Sequence, residues 1–184
     1  MFTTIISHST QKINRVIIGG GTYILLSPGK NKSTKIRSEK MIEQDTIKLL
    51  RECDAGIKMG VKSIGDVEKY VKSSEMKKLL IDCKCEHEKL EEEIDLLLEK
   101  YQDDGKDPNP IAAGMSWMKT SMKLGLHATD AIVADLMTDG CNMGVKSLNK
   151  YMNKYEAADE KSKDIAKRLS GVEEKLAVDL RRYL

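Results

Sequence analysis

A chain of 184 residues and 20.7 kDa has room for one compact domain with a modest extra segment. Its 31 basic residues nearly cancel its 29 acidic ones, so the formal charge of +2 excludes a global field that would gather nucleic acid or anionic membrane. Aromatic residues make up only 4% and there are 3 prolines, against a wealth of Lys, Glu, Leu, Met and Ala, which points to an all-α protein.

Residues 1–40 read differently from the remainder. The run VIIGGGTYILL, Val16 to Leu26, looks like a first dinucleotide-binding strand with its phosphate loop. Ile24, however, stands where the third glycine of that turn belongs, and Pro28-Gly29 closes the segment with no βαβ unit behind it. The same run falls short of the roughly 18 to 20 apolar residues that span a bilayer. Lys12 and Arg15 precede it as in a signal peptide, yet no small-x-small cleavage site follows. The basic stretch up to Lys40 lacks the interleaved aromatics of a nucleic-acid binder, so nucleic acid is not an expected partner. This leader is expected to be poorly structured, a tail or a short strand, or not part of the natural protein. Ile36-Arg37-Ser38 can be encoded by a purine-rich AGGAG run, at the spacing of a bacterial ribosome-binding site ahead of Met41.

From Met41 apolar residues recur at three- and four-residue steps, which predicts helices with one buried stripe over residues 41–184. The first helix is expected over about 43–72, with Ile47, Leu50, Cys53, Ile57, Val61, Ile64, Val67 and Val71 inward. Ser73-Ser74 supplies an N-cap for a second, running to about residue 102 and burying Met76, Leu80, Cys83, His87, Leu90, Ile94, Leu97 and Tyr101. The turn chemistry of DDGKDPNP, 103–110, then breaks the pattern, and a short amphipathic helix, IAAGMSWMKTSMKL, follows with Met115, Met118 and Met122 on one face. Thr129 or Asp130 caps a third long helix to about residue 156, and Asp159 opens a fourth to about 183. Two helical hairpins joined by a long crossover containing a short helix make a ferritin-like antiparallel four-helix bundle.

The pentapeptide MGVKS occurs at 59–63 and again at 143–147. At that offset Gly56 pairs with Gly140 and Gly60 with Gly144, so the first and third helices are two versions of one unit. A glycine in a helix interior costs about 1 kcal/mol relative to alanine. Close backbone approach between these two helices is the expected compensation, and room for a ligand is the alternative. Lys58, Lys62, Asp66, Lys146 and Lys150 exclude a membrane dimer of the G-x-x-x-G type.

Ferritin-like bundles often hold a di-iron site built from a Glu on each of two helices and a Glu-x-x-His on each of the other two. Here Lys84 stands three residues before His87, the fourth helix has no histidine, and the inward positions Cys53, Gly56, Ile57, Met137, Gly140 and Cys141 offer no carboxylate. A di-iron centre is therefore not expected. A smaller site is the alternative: CKCEHE places Cys83 and His87 four apart on one helical face, and Cys53, Cys141 or Glu173 could complete a metal or thiol-redox centre. Against it stands a plain buried histidine bonded to one acid, with the cysteines as small core fillers. Cys53, Cys83, Cys85 and Cys141 read as reduced thiols, which suits the cytoplasm.

CDAGIKMG in the first helix and GMSWMK in the crossover resemble an uncharacterised bacterial ferritin-like four-helix-bundle family that lacks the iron ligands. The resemblance implies the fold and supplies no activity. The expectation is therefore a cofactor-free cytoplasmic bundle that works by binding or self-assembly rather than catalysis. Its partner would be a second copy, met through the Met-rich crossover or an outer helix face. The competing expectation is a metal-binding or thiol-redox protein using Cys83, His87 and Cys53.

Overall fold

The computed structural model describes residues 13–18, 21–26, 32–106 and 129–184, with side chains from residue 33 onward. The chain divides into compact units at Lys40/Met41. In the first, β1 (Ile13–Ile18) pairs antiparallel with β2 (Gly21–Leu26), from Ile13 opposite Leu26 to Ile18 opposite Gly21. A hairpin rather than a helix after β1 removes the dinucleotide-binding geometry, which needs a helix N-terminus at that place. The short Met-rich helix expected within 107–128 lies outside the described residues.

Among its described residues the second unit is all-α, with four long helices. Helix α1 spans Lys32–Glu68, α2 Ser74–Lys100, α3 Asp130–Lys154 and α4 Glu160–Leu180, the last continuing as a 3-10 turn over Arg181–Tyr183. The first helix thus begins about a dozen residues earlier than its apolar stripe, inside the stretch expected to be coil. Residues 33–44 are solvent-exposed throughout, so this extension has no buried stripe from which it could have been read. It also ends earlier than expected, at Glu68, and Val71 lies in the turn.

The caps follow the sequence. Ser73 accepts from the Met76 amide at 3.2 Å, Thr129 from Ile132 at 3.3 Å and Asp159 from Ser162 at 2.7 Å, each satisfying an amide that a helix start leaves unpaired. Asp130 does something else. Its carboxylate accepts from the Lys72 and Ser73 amides at 2.6 and 2.9 Å, tying the start of α3 to the α1–α2 turn. At the opposite end of the bundle Thr46 accepts from the Asp159 amide at 2.9 Å and Asp45 from Ala157 at 3.3 Å. These ties fix the directions: α3 runs antiparallel to α1 and therefore parallel to α2, and the chain between residues 106 and 129 joins opposite ends of the bundle.

Two apolar clusters fill the interior. One gathers Leu49, Leu50, Ile57, Leu90, Ile94, Leu98, Ile165 and Leu169; the other gathers Ile64, Val67, Met76, Leu80, Val133, Met137, Leu176 and Leu180. Val172 packs against both. Burial of this much aliphatic surface, at about 25 cal/mol per Å2, is the main force holding the helices together.

Candidate functional site

Between the two apolar clusters lies a polar waist. His87, on the inward face of α2, is 1% exposed. Its Nδ1 lies 2.9 Å from the carbonyl oxygen of Cys83, one turn back, and 3.5 Å from the Cys83 Sγ. A carbonyl can only accept, so Nδ1 carries a hydrogen. On the other side of the ring, Nε2 lies 3.0 Å from Oε1 of Glu173 on α4. Burial works against a charged ring, but the hydrogen bonds to Cys83 and Glu173 and the negative charge of Glu173 outweigh it, and the His87 pKa is pushed up to about 10. At neutral pH the ring is an imidazolium that donates from both nitrogens.

Cys141 of α3 joins this pair. Burial, followed by the charge of Glu173, holds its pKa far above the usual thiol range, so it stays protonated beside the Glu173 carboxylate. Glu173 is thus faced by polar groups of two other helices, and the hydrogen bond it accepts is the one from His87.

The repeated glycines face this cluster. A Cβ built on Gly60 would stand 2.9 Å from His87 Nε2 and 3.1 Å from its Cδ2, and one on Gly144 would stand 3.3 Å from the Glu173 carboxyl carbon. What compensates these glycines is therefore side chain entering from α2 and α4, in place of the expected backbone approach between the first and third helices. Gly56 and Gly140, the other members of the pairs, have no described atom within 4 Å of such a Cβ. The starts of α2 and α4 are 86 residues apart, as are His87 and Glu173, so the acid and the base occupy equivalent places in the two hairpins.

Of the residues singled out in the sequence, Cys83, His87 and Glu173 come together. Cys53 does not join them. It packs in the other cluster with Leu49, Leu50 and Ile57, and burial, then the charges of Glu52 and Asp54, push its thiol up to about 12. Cys85 is exposed. Among the described residues no group of three or more His, Cys, Asp and Glu side chains is arranged to hold a metal ion.

Asp54 escaped the sequence reading. It is fully buried on α1, and its Oδ2 accepts from Lys58 Nζ at 2.9 Å and from the Lys106 amide at 2.8 Å. Around it, Lys106 Nζ donates to Glu52 at 2.7 Å and Arg51 Nε donates to the Gly105 carbonyl at 3.2 Å while pairing with the Asp103 carboxylate at 3.0 Å. Gly105, with φ +78°, packs against the Asp54 carboxylate where any side chain would collide. This network pins the chain leaving α2 to α1. The available signal was an acid beside an apolar stripe position with a lysine four residues on, which reads equally well as a solvent-exposed helix pair.

Shallow hollows mark the surface of the described residues. One, of about 380 Å3, is lined by Asp95, Leu98, Glu99, Gln102, Asp103 and Asp104; another, of about 340 Å3, by Asp139, Asn142, Met143 and Lys146. His87 lines neither.

Comparison with protein-family models, with characterised proteins and with solved structures found no significant match to this chain.

Proposed function

We propose that the chain is a ferritin-like helical bundle that acts by binding or self-assembly rather than by catalysis, with no metal in its core. The observation that carries this reading is the closure of the polar waist. Each ring nitrogen of His87 has a protein acceptor, Glu173 is held by that ring with the Cys141 thiol beside it, and apolar clusters lie above and below. A histidine acting as general base or metal ligand needs a free lone pair on a ring nitrogen, and His87 has none left, since each nitrogen carries a hydrogen directed at a protein acceptor. The ferritin-like part of the proposal is supported by the helix directions, since two antiparallel hairpins with one end-to-end connection are the plan of such bundles. A bacterial, cytoplasmic setting is in keeping with the family resemblance and with cysteines that form no disulfide among the described residues.

The competing reading places a metal or thiol-redox centre at Cys83 and His87, and here Cys141 rather than Cys53 would be the third group. Elemental analysis of protein purified without a polyhistidine tag decides between them. The proposal expects substoichiometric Zn and Fe; a stoichiometric metal lost in His87→Ala overturns it.

A further inference from the structure

The outer face of α3 carries a charge pattern that is complementary to itself. Asp135 and Asp139 lie one turn apart on its first half, Lys146 and Lys150 one turn apart on its second, and Ile132 and Met143 share the same strip of the helix. All six are exposed, Met143 at 55% and Ile132 at 43%. Within one chain this arrangement is unfavourable, because like charges at i, i+4 repel. None of the four charged groups has an ion-pair partner among the described residues.

The spacing is symmetric about the Asn142–Met143 bond. Asp139 precedes Asn142 by three residues and Lys146 follows Met143 by three; Asp135 and Lys150 stand seven residues away on the same terms. A second α3 laid antiparallel across the first, with a two-fold axis through that bond, brings each acid opposite a lysine of the other copy. Met143 stands at the edge of the hollow it shares with Asp139, Asn142 and Lys146, and the partner's methionine can lie there.

We infer that α3 is a homodimerisation face, occupied by the α3 of a second copy in an isologous antiparallel contact. The inference rests on the assembly reading above and names its surface. One helix face buries less than the roughly 1,600 Å2 of a standard interface, so the dimer dissociates in the micromolar range and weakens with salt.

Sedimentation equilibrium of the full chain over about 1–200 µM tests it. Asp139→Lys and Lys146→Asp should each weaken the dimer about tenfold or more, since each reversal acts twice across the two-fold. The double variant should restore wild-type affinity to within about threefold. Met143→Cys in a Cys85→Ser background should form a disulfide dimer under mild oxidation. A dimer indifferent to both reversals overturns the α3 face and leaves the assembly reading standing. A chain still monomeric at the highest concentration overturns the α3 face and self-assembly alike, leaving binding to a different partner as what stands of the proposed function.

Discussion

His87 and Glu173 meet at 3.0 Å across the middle of the bundle, in equivalent places on α2 and α4, with Gly60 and Gly144 standing against them from the other two helices. A buried ion pair of this kind adds little net stability over hydrocarbon, but breaking it by removal of one partner is expensive.

The first consequence concerns pH. A histidine in the unfolded chain titrates near 6.5, and His87 in the folded chain near 10, so folding strengthens its hold on the proton. The stability this contributes is complete below the unfolded value and is lost progressively as pH rises through the folded one. Urea midpoints measured from pH 6 to 10 should fall more steeply for the wild type than for His87→Gln. Equal slopes would show that the ring is not charged in the folded protein.

Replacing Glu173 by Gln keeps the shape of the acceptor and removes its charge. The ring then sheds its proton near neutrality, which limits the loss of stability to about 2 kcal/mol. Histidine ring NMR at pH 8 reads this directly: charged in the wild type, neutral in Glu173→Gln. A ring still charged in the variant would assign its raised pKa to Cys83 alone.

Two glycines one turn apart on α1 should respond in opposite directions. Gly56→Ala meets no described atom and should stabilise by up to about 1 kcal/mol through helix propensity. Gly60→Ala places a methyl against a ring held on both sides and should destabilise by about 2 kcal/mol despite the same gain in propensity. Thermal unfolding of the two variants side by side checks the sign, and stabilisation by both would remove the packing role of Gly60.

Asp54→Ala takes the acceptor from Lys58 and from the Lys106 amide, and should cost about 3 kcal/mol. The same change frees Lys106, at the end of the segment that follows α2, from α1. Limited proteolysis should therefore cut near Lys106 faster in Asp54→Ala than in Asp54→Asn, which keeps one acceptor. Identical cleavage in both variants would separate Asp54 from the anchoring of that segment.

Helix identity and facing were legible from the spacing of apolar residues. Leu50, Cys53, Ile57, Ile64 and Val67 on α1, and Met76 to Leu97 on α2, are buried where the period of 3.6 puts them. Ser73, Thr129 and Asp159 announced the helix starts for the same reason they cap them. The encounter of His87 with Glu173 was visible only as a possibility, because it depends on the vertical placement of α4 against α2, which no local pattern encodes. Asp54 was missed because periodicity ranks residues by hydropathy, while its burial is decided by Lys106, 52 residues away. The first turns of α1 were missed because propensity, without an amphipathic stripe, carries little weight.

The placement of α4 along α2 has a further aspect. Moving α4 by one helical turn in either direction would set Leu169 or Ala177 beside the His87 ring in place of Glu173. Leucine and alanine interdigitate almost equally well at neighbouring levels of a bundle, so the hydrocarbon core by itself discriminates poorly among such slips. An imidazolium facing an aliphatic side chain discriminates strongly. One ionic contact at mid-height therefore works as a vernier mark for the assembled helices, selecting a single stagger from several that oil alone would accept.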